Sequence, residues 1–273
     1  MAAELRDIDF EKISRFVYDL CGIHLHEGKK ELVKARLGKR LREGNFKSFS
    51  EYYRYVTTEQ GADELICMID SLSTNLTSFF REAEHFQLLG EILPDMVKTP
   101  RRGRSPKLRI WSAGCSTGEE PYTIAMMLRE LLNGCQVDIK IFASDISTRV
   151  LNTAVRGIYP EEKVKGISSD LLKKYFQVGQ GAWRGHYRVK KEISRIIDFT
   201  RFNLMESLSC NEPFDIIFCR NVMIYFDKPT QGRIVRKFYE YLREGGFLFV
   251  GRSESLTGLN HEFKYIEPSV YQK

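Results

Sequence analysis

Apolar positions in the first hundred residues recur at intervals of three and four. Phe10, Ile13, Phe16, Val17 and Leu20 share one helical face, and Gly22 ends that helix. Val33, Leu37 and Leu41 repeat every fourth residue through Lys29–Glu43, flanked by Arg36, Lys39, Arg40 and Arg42. The same spacing predicts helices around Phe49–Thr57, Ala62–Ser71 and Glu82–Met96. At Lys98–Lys107, K-T-P-R-R-G-R-S-P-K, apolar positions vanish. Two prolines, a glycine and five basic residues cannot build a core, so this stretch reads as a linker after a helical N-terminal domain at 1–97.

From Leu108 the pattern changes to short apolar runs alternating with amphipathic helices. Leu108–Trp111, Ile139–Ser144, Ile196–Phe202, Phe214–Cys219 and Phe247–Gly251 read as strands, and Tyr122–Leu132, Arg149–Val155 and Thr230–Leu242 as helices. This rhythm predicts an α/β domain at 108–273, a mostly parallel sheet with helices on both faces. Tyr159–Lys191 breaks the rhythm: a short helix, Ser169–Tyr175, precedes two short strands joined by G-Q-G-A-W-R-G. That stretch, about 159–195, reads as a small inserted β-subdomain.

Composition changes little. Hydrophobic residues make up 42% and charged residues 29% of 273 positions, ordinary for a globular chain. No apolar run approaches the roughly 18–20 residues that cross a bilayer, so no membrane insertion is expected, and the cytoplasm is the expected compartment. The six cysteines are scattered without a C-x-x-C pair, which argues for reduced thiols and against a metal site. The net charge of +6 suits an acidic partner, nucleic acid or protein, without choosing between them.

The chemistry concentrates at I-W-S-A-G-C-S-T-G-E-E-P, 110–121, where a strand runs through Gly114 and Gly118 into Glu119 and Glu120. A P-loop needs G-K-[ST] and a dinucleotide turn G-x-G-x-x-G; neither is present. A pyrophosphate about 4–5 Å from one of these carboxylates would be repelled by roughly 3–4 kcal/mol at an effective dielectric near 20. A cationic, hydroxyl-rich, phosphate-free ligand such as S-adenosylmethionine is attracted instead. The plain alternative is a helix whose first turn favours carboxylates through its dipole. Three further positions end strands at the same sheet edge: Asp145, 27 residues beyond Gly118, suited to ribose hydroxyls; Asn203-Leu204, whose amide can read an adenine edge; and Arg220-Asn221.

Together S-L-S-T-N-L-T-S-F-F-R-E (71–82), W-S-A-G-C-S-T-G-E-E-P-Y-T-I-A (111–125), A-S-D-I-S (143–147), F-N-L (202–204) and F-C-R-N-V-M-I-Y-F (218–226) resemble the CheR family, bacterial chemotaxis receptor glutamate O-methyltransferases. The resemblance implies an all-helical domain followed by a doubly wound seven-stranded S-adenosylmethionine-dependent methyltransferase domain with a small antiparallel β-subdomain. It implies a pocket of Asn75, Thr77, Arg81, Gly114, Glu119, Asp145, Asn203, Leu204, Arg220 and Asn221, with Tyr225 near the transferred methyl. Glu119 is the better match than Glu120. S-adenosylhomocysteine would be the product.

The implied acceptor is a glutamate on a receptor's cytoplasmic helix. With an unperturbed pKa near 4.3 it is already ionised, so the enzyme needs positioning, not a general base. Arg81 or Arg220 can orient the carboxylate with arginine's planar fork, and Tyr225 can hold nucleophile or methyl in line. Arg36, Lys39 and Arg40 are candidates for steering acidic receptor helices, and the β-subdomain for binding a receptor's C-terminal peptide by strand addition. Two rivals stay open on sequence alone. One is a nucleic-acid methyltransferase, which lacks support because Arg220-Asn221-Val222-Met223 stands where [DN]-P-P-Y would be. The other is a cofactor-binding signalling or scaffold module without turnover.

Overall fold

The computed structural model describes residues 3–98, 106–210 and 212–273. Helices α1 (Asp7–Cys21), α2 (Lys30–Glu43), α3 (Phe49–Val56) and α4 (Ala62–Leu72) close around Phe10, Ile13, Val33, Leu37, Phe49, Tyr52 and Met68. The three-and-four spacing builds this core directly, because each buried set lies on one face of its helix. Gly22 stops α1 in a left-handed conformation, φ +75°, and its N–H caps the Tyr18 carbonyl.

Helix α5 (Glu84–Lys98) follows. Grouped by its periodicity with the helical domain, it packs instead on the sheet: Phe86, Leu89 and Leu93 join Ile110, Leu128 and Phe218 in one core. The helical unit's own core ends at Leu72, and the expected division near residue 98 falls one helix late. An amphipathic face says that a helix is covered, not by what. Most of the expected 98–107 linker lies outside the described residues; Lys98 closes α5 and Lys107 opens the first strand.

The remainder alternates β1 (Lys107–Ala113), α6 (Glu119–Leu131), β2 (Asp138–Asp145), α7 (Thr148–Arg156), β3 (Ile158–Pro160), α8 (Glu161–Val164), α9 (Ser169–Tyr175), β4 (Phe176–Val178), β5 (His186–Val189), α10 (Lys191–Ser194), β6 (Ile197–Arg201), β7 (Phe214–Cys219), α11 (Lys228–Tyr241), β8 (Leu242–Val250), β9 (Lys264–Glu267) and β10 (Val270–Gln272). The main sheet has seven strands in the order β6-β2-β1-β7-β8-β10-β9. Six of its strands run in one direction and only β10, between β8 and β9, runs antiparallel to its neighbours. Strand order reverses beside β1, the switch point where open α/β sheets hold ligands. A second, three-stranded antiparallel sheet, β3-β5-β4, is the inserted subdomain. Its third strand, Ile158–Pro160, and the hairpin β9–β10 were not visible as strands in the sequence pattern.

The helical unit sits against the carboxyl ends of the strands. Tyr18 donates its hydroxyl to Asp227 at 3.0 Å, and Asn203 donates Nδ2 to the Leu20 carbonyl at 2.8 Å. Asp70, buried at the end of α4, accepts the Arg149 N–H at 3.2 Å and the Thr148 hydroxyl at 3.3 Å in the first turn of α7. A carboxylate there satisfies orphan donors and suits the helix dipole.

Candidate active site

A cavity, partly open to solvent, lies at the junction of the two units. Its floor is the turn after β1. Gly114 has φ +83°, and a Cβ there would come within 2.3 Å of Val222; Gly118 has φ +95°, and a Cβ there would meet Ala154 at 2.8 Å. Only glycine fits either position. The Gly114 and Cys115 N–H groups both bond the Ser144 carbonyl, which locks this turn to the end of β2.

Asp145 stands at that strand end, buried, with one oxygen accepting the Ser116 N–H and the other the Ser147 N–H, both at 2.9 Å. Burial pushes its carboxyl above the usual range, against the pull of these hydrogen bonds. Two acceptors on two oxygens leave lone pairs free toward the cavity. The cap of α7 is Ser147, whose Oγ accepts from Val150, so Asp145 itself is not needed as the helix cap.

The two adjacent carboxylates part company. Glu120 lines the cavity, accepting from the Ser112 hydroxyl at 2.7 Å and from Arg220 Nη1 at 3.0 Å. Glu119 is fully buried, accepts from Thr117 at 2.6 Å and pairs with Lys163 of α8 at 3.3 Å, away from the residues that line the cavity. Successive residues of a helix point about 100° apart, so only one of the pair can face the ligand. The family-based expectation preferred Glu119; the geometry puts Glu120 there.

Arg220 differs from expectation as well. Its side chain is 1% exposed, forked between Glu82 at 3.1 Å and Glu120 at 3.0 Å, bonded to the Arg81 carbonyl, and stacked on Phe86 with 5.5 Å to the ring centroid. A guanidinium so committed has little left for an incoming carboxylate. Glu82 also takes the Arg252 N–H and Asn221 Nδ2. Burial, the largest single influence, would raise the Glu82 carboxyl; the Arg220 charge together with hydrogen bonds from Arg220, the Arg252 N–H and Asn221 holds it below its usual value. His85, behind this pair, is driven down to about 4 by burial and then by Arg220, so it is neutral at physiological pH. The matching carboxylate on the opposite side of Asn221 is Glu254, which accepts from the N–H groups of Asn221 at 2.8 Å, Gly251 at 2.6 Å and Ile224 at 3.2 Å. Asn221 adopts φ +59°, and these bonds fix that unusual turn. No role was expected for Glu82 or Glu254 from the sequence, because their partners are far away along the chain.

The remaining wall comes from the extended segment after α4. Asn75, Thr77 and Arg81 line the cavity there, together with Asn203, Leu204, Asn221 and Tyr225 from the sheet. Arg81 donates to the Leu76 carbonyl at 2.9 Å and has no carboxylate partner among the described residues, so its remaining donors are free. Asn75 Nδ2 is buried without a partner among the described residues. Tyr225 donates its hydroxyl to the Thr74 carbonyl at 2.9 Å, and burial raises its phenol further above the neutral range. Asn203 lines the cavity with its amide already engaged, donating to Leu20 and accepting from the Met205 N–H at 3.0 Å. The α2 candidates lie outside. Arg36 holds Leu72, Ser73 and Thr74; Arg40 is paired with Glu64 and Glu43; Lys39 stays solvent-facing near Glu43 at 3.8 Å.

The cavity therefore offers two carboxylates, Glu120 and Asp145, one free cation, Arg81, and an orphan amide donor, Asn75. That donor set fits a zwitterionic, hydroxylated nucleoside with a positive centre, and the N–H groups of Gly114, Cys115, Ser116 and Gly118 in the turn are already engaged within the protein. Among the described residues no group of three His, Cys, Asp or Glu is placed to hold a metal ion, and no helix is long and apolar enough to cross a membrane.

Comparison with known proteins shows the family. Residues 8–73 match the family described as CheR methyltransferase, all-alpha domain, and residues 75–272 match CheR methyltransferase, SAM binding domain. The chain is 42% identical to a chemotaxis protein methyltransferase of Borreliella burgdorferi, covering 97% of this chain and 94% of that protein. It is 42% identical to the chemotaxis protein methyltransferase of Escherichia coli, covering 98% and 91%. A chemotaxis protein methyltransferase 2 of Pseudomonas aeruginosa is also 42% identical, covering 96% and 92%.

Proposed function

The chain belongs to the CheR methyltransferase family, and we propose that its junction cavity binds S-adenosylmethionine and directs the methyl group to glutamate carboxylates of chemoreceptors, forming methyl esters. The observation that carries this reading is the donor set itself, with Glu120 and Asp145 facing a cavity that suits a cation and not a pyrophosphate. When bound, the cofactor supplies an electrophilic methyl on a sulfonium, a strong leaving group.

The chain's own residues have four tasks. Asp145 would hold the ribose hydroxyls and Asn75 a polar edge, while Glu120 would face the amino group. Arg81, with donors to spare, is better suited than Arg220 to orient the acceptor carboxylate bidentately. Arg220 would act as an internal counter-ion to Glu82 and Glu120, and Glu82 in turn accepts from Asn221. Tyr225, anchored to Thr74, lines the cavity and would limit how the carboxylate can approach. No general base is required, because a glutamate acceptor is ionised at neutral pH.

Receptor recognition has two further parts. The exposed Lys39 and the neighbouring basic groups of α2 would steer an acidic helix, with Arg36 and Arg40 contributing field more than contact, since both are already bonded. The groove of the three-stranded sheet, lined by Ile158, Gln177, Val178, Trp183, His186 and Arg188, would take a receptor's C-terminal peptide as an added strand.

Calorimetric titration tests the cofactor assignment. S-adenosylhomocysteine is expected to bind the full chain with measurable heat, and NADH is not. Strong uptake of NADH with no heat from S-adenosylhomocysteine would overturn the reading. Titrating a receptor C-terminal pentapeptide in the same instrument decides the second site: loss of its heat in Trp183→Ala supports it, and no heat with the native chain removes it.

A further inference from the structure

Between α4 and Arg81 the chain is neither helix nor strand, yet it is held at every step. Arg36 bonds the carbonyls of Leu72 at 2.6 Å and Ser73 at 3.2 Å; Tyr225 takes Thr74 at 2.9 Å; Ser116 takes Asn75 at 3.1 Å. Arg81 takes Leu76 at 2.9 Å and Lys163 takes Thr77 at 3.2 Å. Six successive carbonyls are thus fixed by side chains drawn from α2, the β1 turn, α8, the loop after β7 and the segment itself. Such a strap is not a loose loop.

Out of this strap Leu76 projects into solvent, 77% exposed, more than any other large apolar side chain given for the described residues. Single exposed leucines are common on protein surfaces. What sets this one apart is that a backbone fixed by side chains presents it at the active cavity, which it also helps to line, with the Arg81 guanidinium bonded to its own carbonyl and Tyr225 to that of Thr74. Any acceptor carboxylate entering toward Arg81 must bring its neighbours past Leu76.

The geometry points to Leu76 as a substrate-contact residue that packs against an apolar side chain on the acceptor helix, one turn from the glutamate being methylated. The inference rests on the receptor-methylation reading above. On a helix, positions three or four apart lie on one face, so a glutamate directed into the cavity places such a neighbour over its rim. Arg81 would then read the carboxylate and Leu76 the aliphatic side chain next to it, so that an acidic helix with an apolar residue at that spacing is preferred over one with a polar residue. Covering part of an exposed leucine is worth a several-fold change in affinity.

The test compares Leu76→Ser and Leu76→Met with the native chain, using labelled S-adenosylmethionine and a receptor cytoplasmic fragment, beside calorimetry with S-adenosylhomocysteine. For Leu76→Ser the expected result is a KM for the fragment raised about five- to twentyfold. Its kcat and its affinity for S-adenosylhomocysteine should stay within about twofold, and Leu76→Met should restore KM. An unchanged KM in an active Leu76→Ser enzyme overturns the inference alone. Loss of S-adenosylhomocysteine affinity in parallel with KM also overturns it, by making Leu76 part of the cofactor wall. A native chain that methylates no fragment overturns the functional reading, and this inference with it.

Discussion

Replacing Arg220 by Met separates an internal counter-ion from a substrate ligand. The guanidinium is 1% exposed and lies 3.1 Å from Glu82 and 3.0 Å from Glu120. At an effective dielectric near 20 each contact amounts to about 5 kcal/mol of gross attraction, most of it offset by the desolvation of three charged groups. Removing the cation while leaving two buried carboxylates is costlier than removing the whole cluster, and about 3–5 kcal/mol is expected for such a change. For a chain of this size that lowers Tm by roughly 6–20 °C. The pH dependence gives a second signature. Without Arg220, burial would lift the Glu82 carboxyl above its unfolded value, so its destabilising effect is present at pH 7–8 and fades as pH falls through the raised value. Thermal melts of Arg220→Met and native protein between pH 5 and 8 should therefore converge on acidification. Glu82→Gln, which leaves Arg220 with Glu120, should cost less. A variant that melts at the native temperature at every pH and loses only turnover would refute this, and would return Arg220 to the role of carboxylate ligand.

Three other outcomes follow from the same geometry. Glu120→Gln should weaken S-adenosylhomocysteine binding and, by removing one of the two partners of Arg220, lower Tm as well, whereas Glu119→Gln should lower Tm with S-adenosylhomocysteine affinity nearly native; calorimetry and melting of the pair read both. Tyr225→Phe removes the hydroxyl that holds the Thr74 carbonyl, a bond worth about 1 kcal/mol, so turnover should fall while S-adenosylhomocysteine affinity stays nearly native. Normal turnover would remove the hydroxyl from the mechanism. Asp145, raised by burial, should lose its charge at a higher pH than an ordinary aspartate; cofactor affinity should accordingly be full at neutral pH and weaken as pH falls toward that raised value, and Asp145→Asn should flatten the profile.

Much of the architecture was legible because it depends on local pattern. Phe214–Cys219 and Ser169–Tyr175 have the bounds their apolar runs suggested, and the ligand-facing strand ends follow from parallel alternation alone. What escaped was set by partners far along the chain. Helix α5 shows an apolar stripe that does not say whether helices or a sheet will cover it. Lys264–Glu267 and Val270–Gln272 are too short to carry a period, and they are strands because β8 offers a free edge. Asn203 reads as a free amide until Leu20 of another domain is found to accept from it. Glu119 and Glu120 are equivalent in sequence and opposite in space, a matter of helical phase at the first turn of α6. Glu254 lies in no quoted motif and Glu82 only closes one; they matter because both bond Asn221.

The central claim is that this cavity carries a methyl group to a carboxylate oxygen. The most direct measurement incubates the full chain with methyl-labelled S-adenosylmethionine and a receptor cytoplasmic fragment, then treats the labelled fragment with mild base. Label that is released as volatile methanol, and that is absent when the acceptor glutamates are glutamines, is the predicted result. Label that survives base, or that appears on RNA and not on the fragment, would contradict the account.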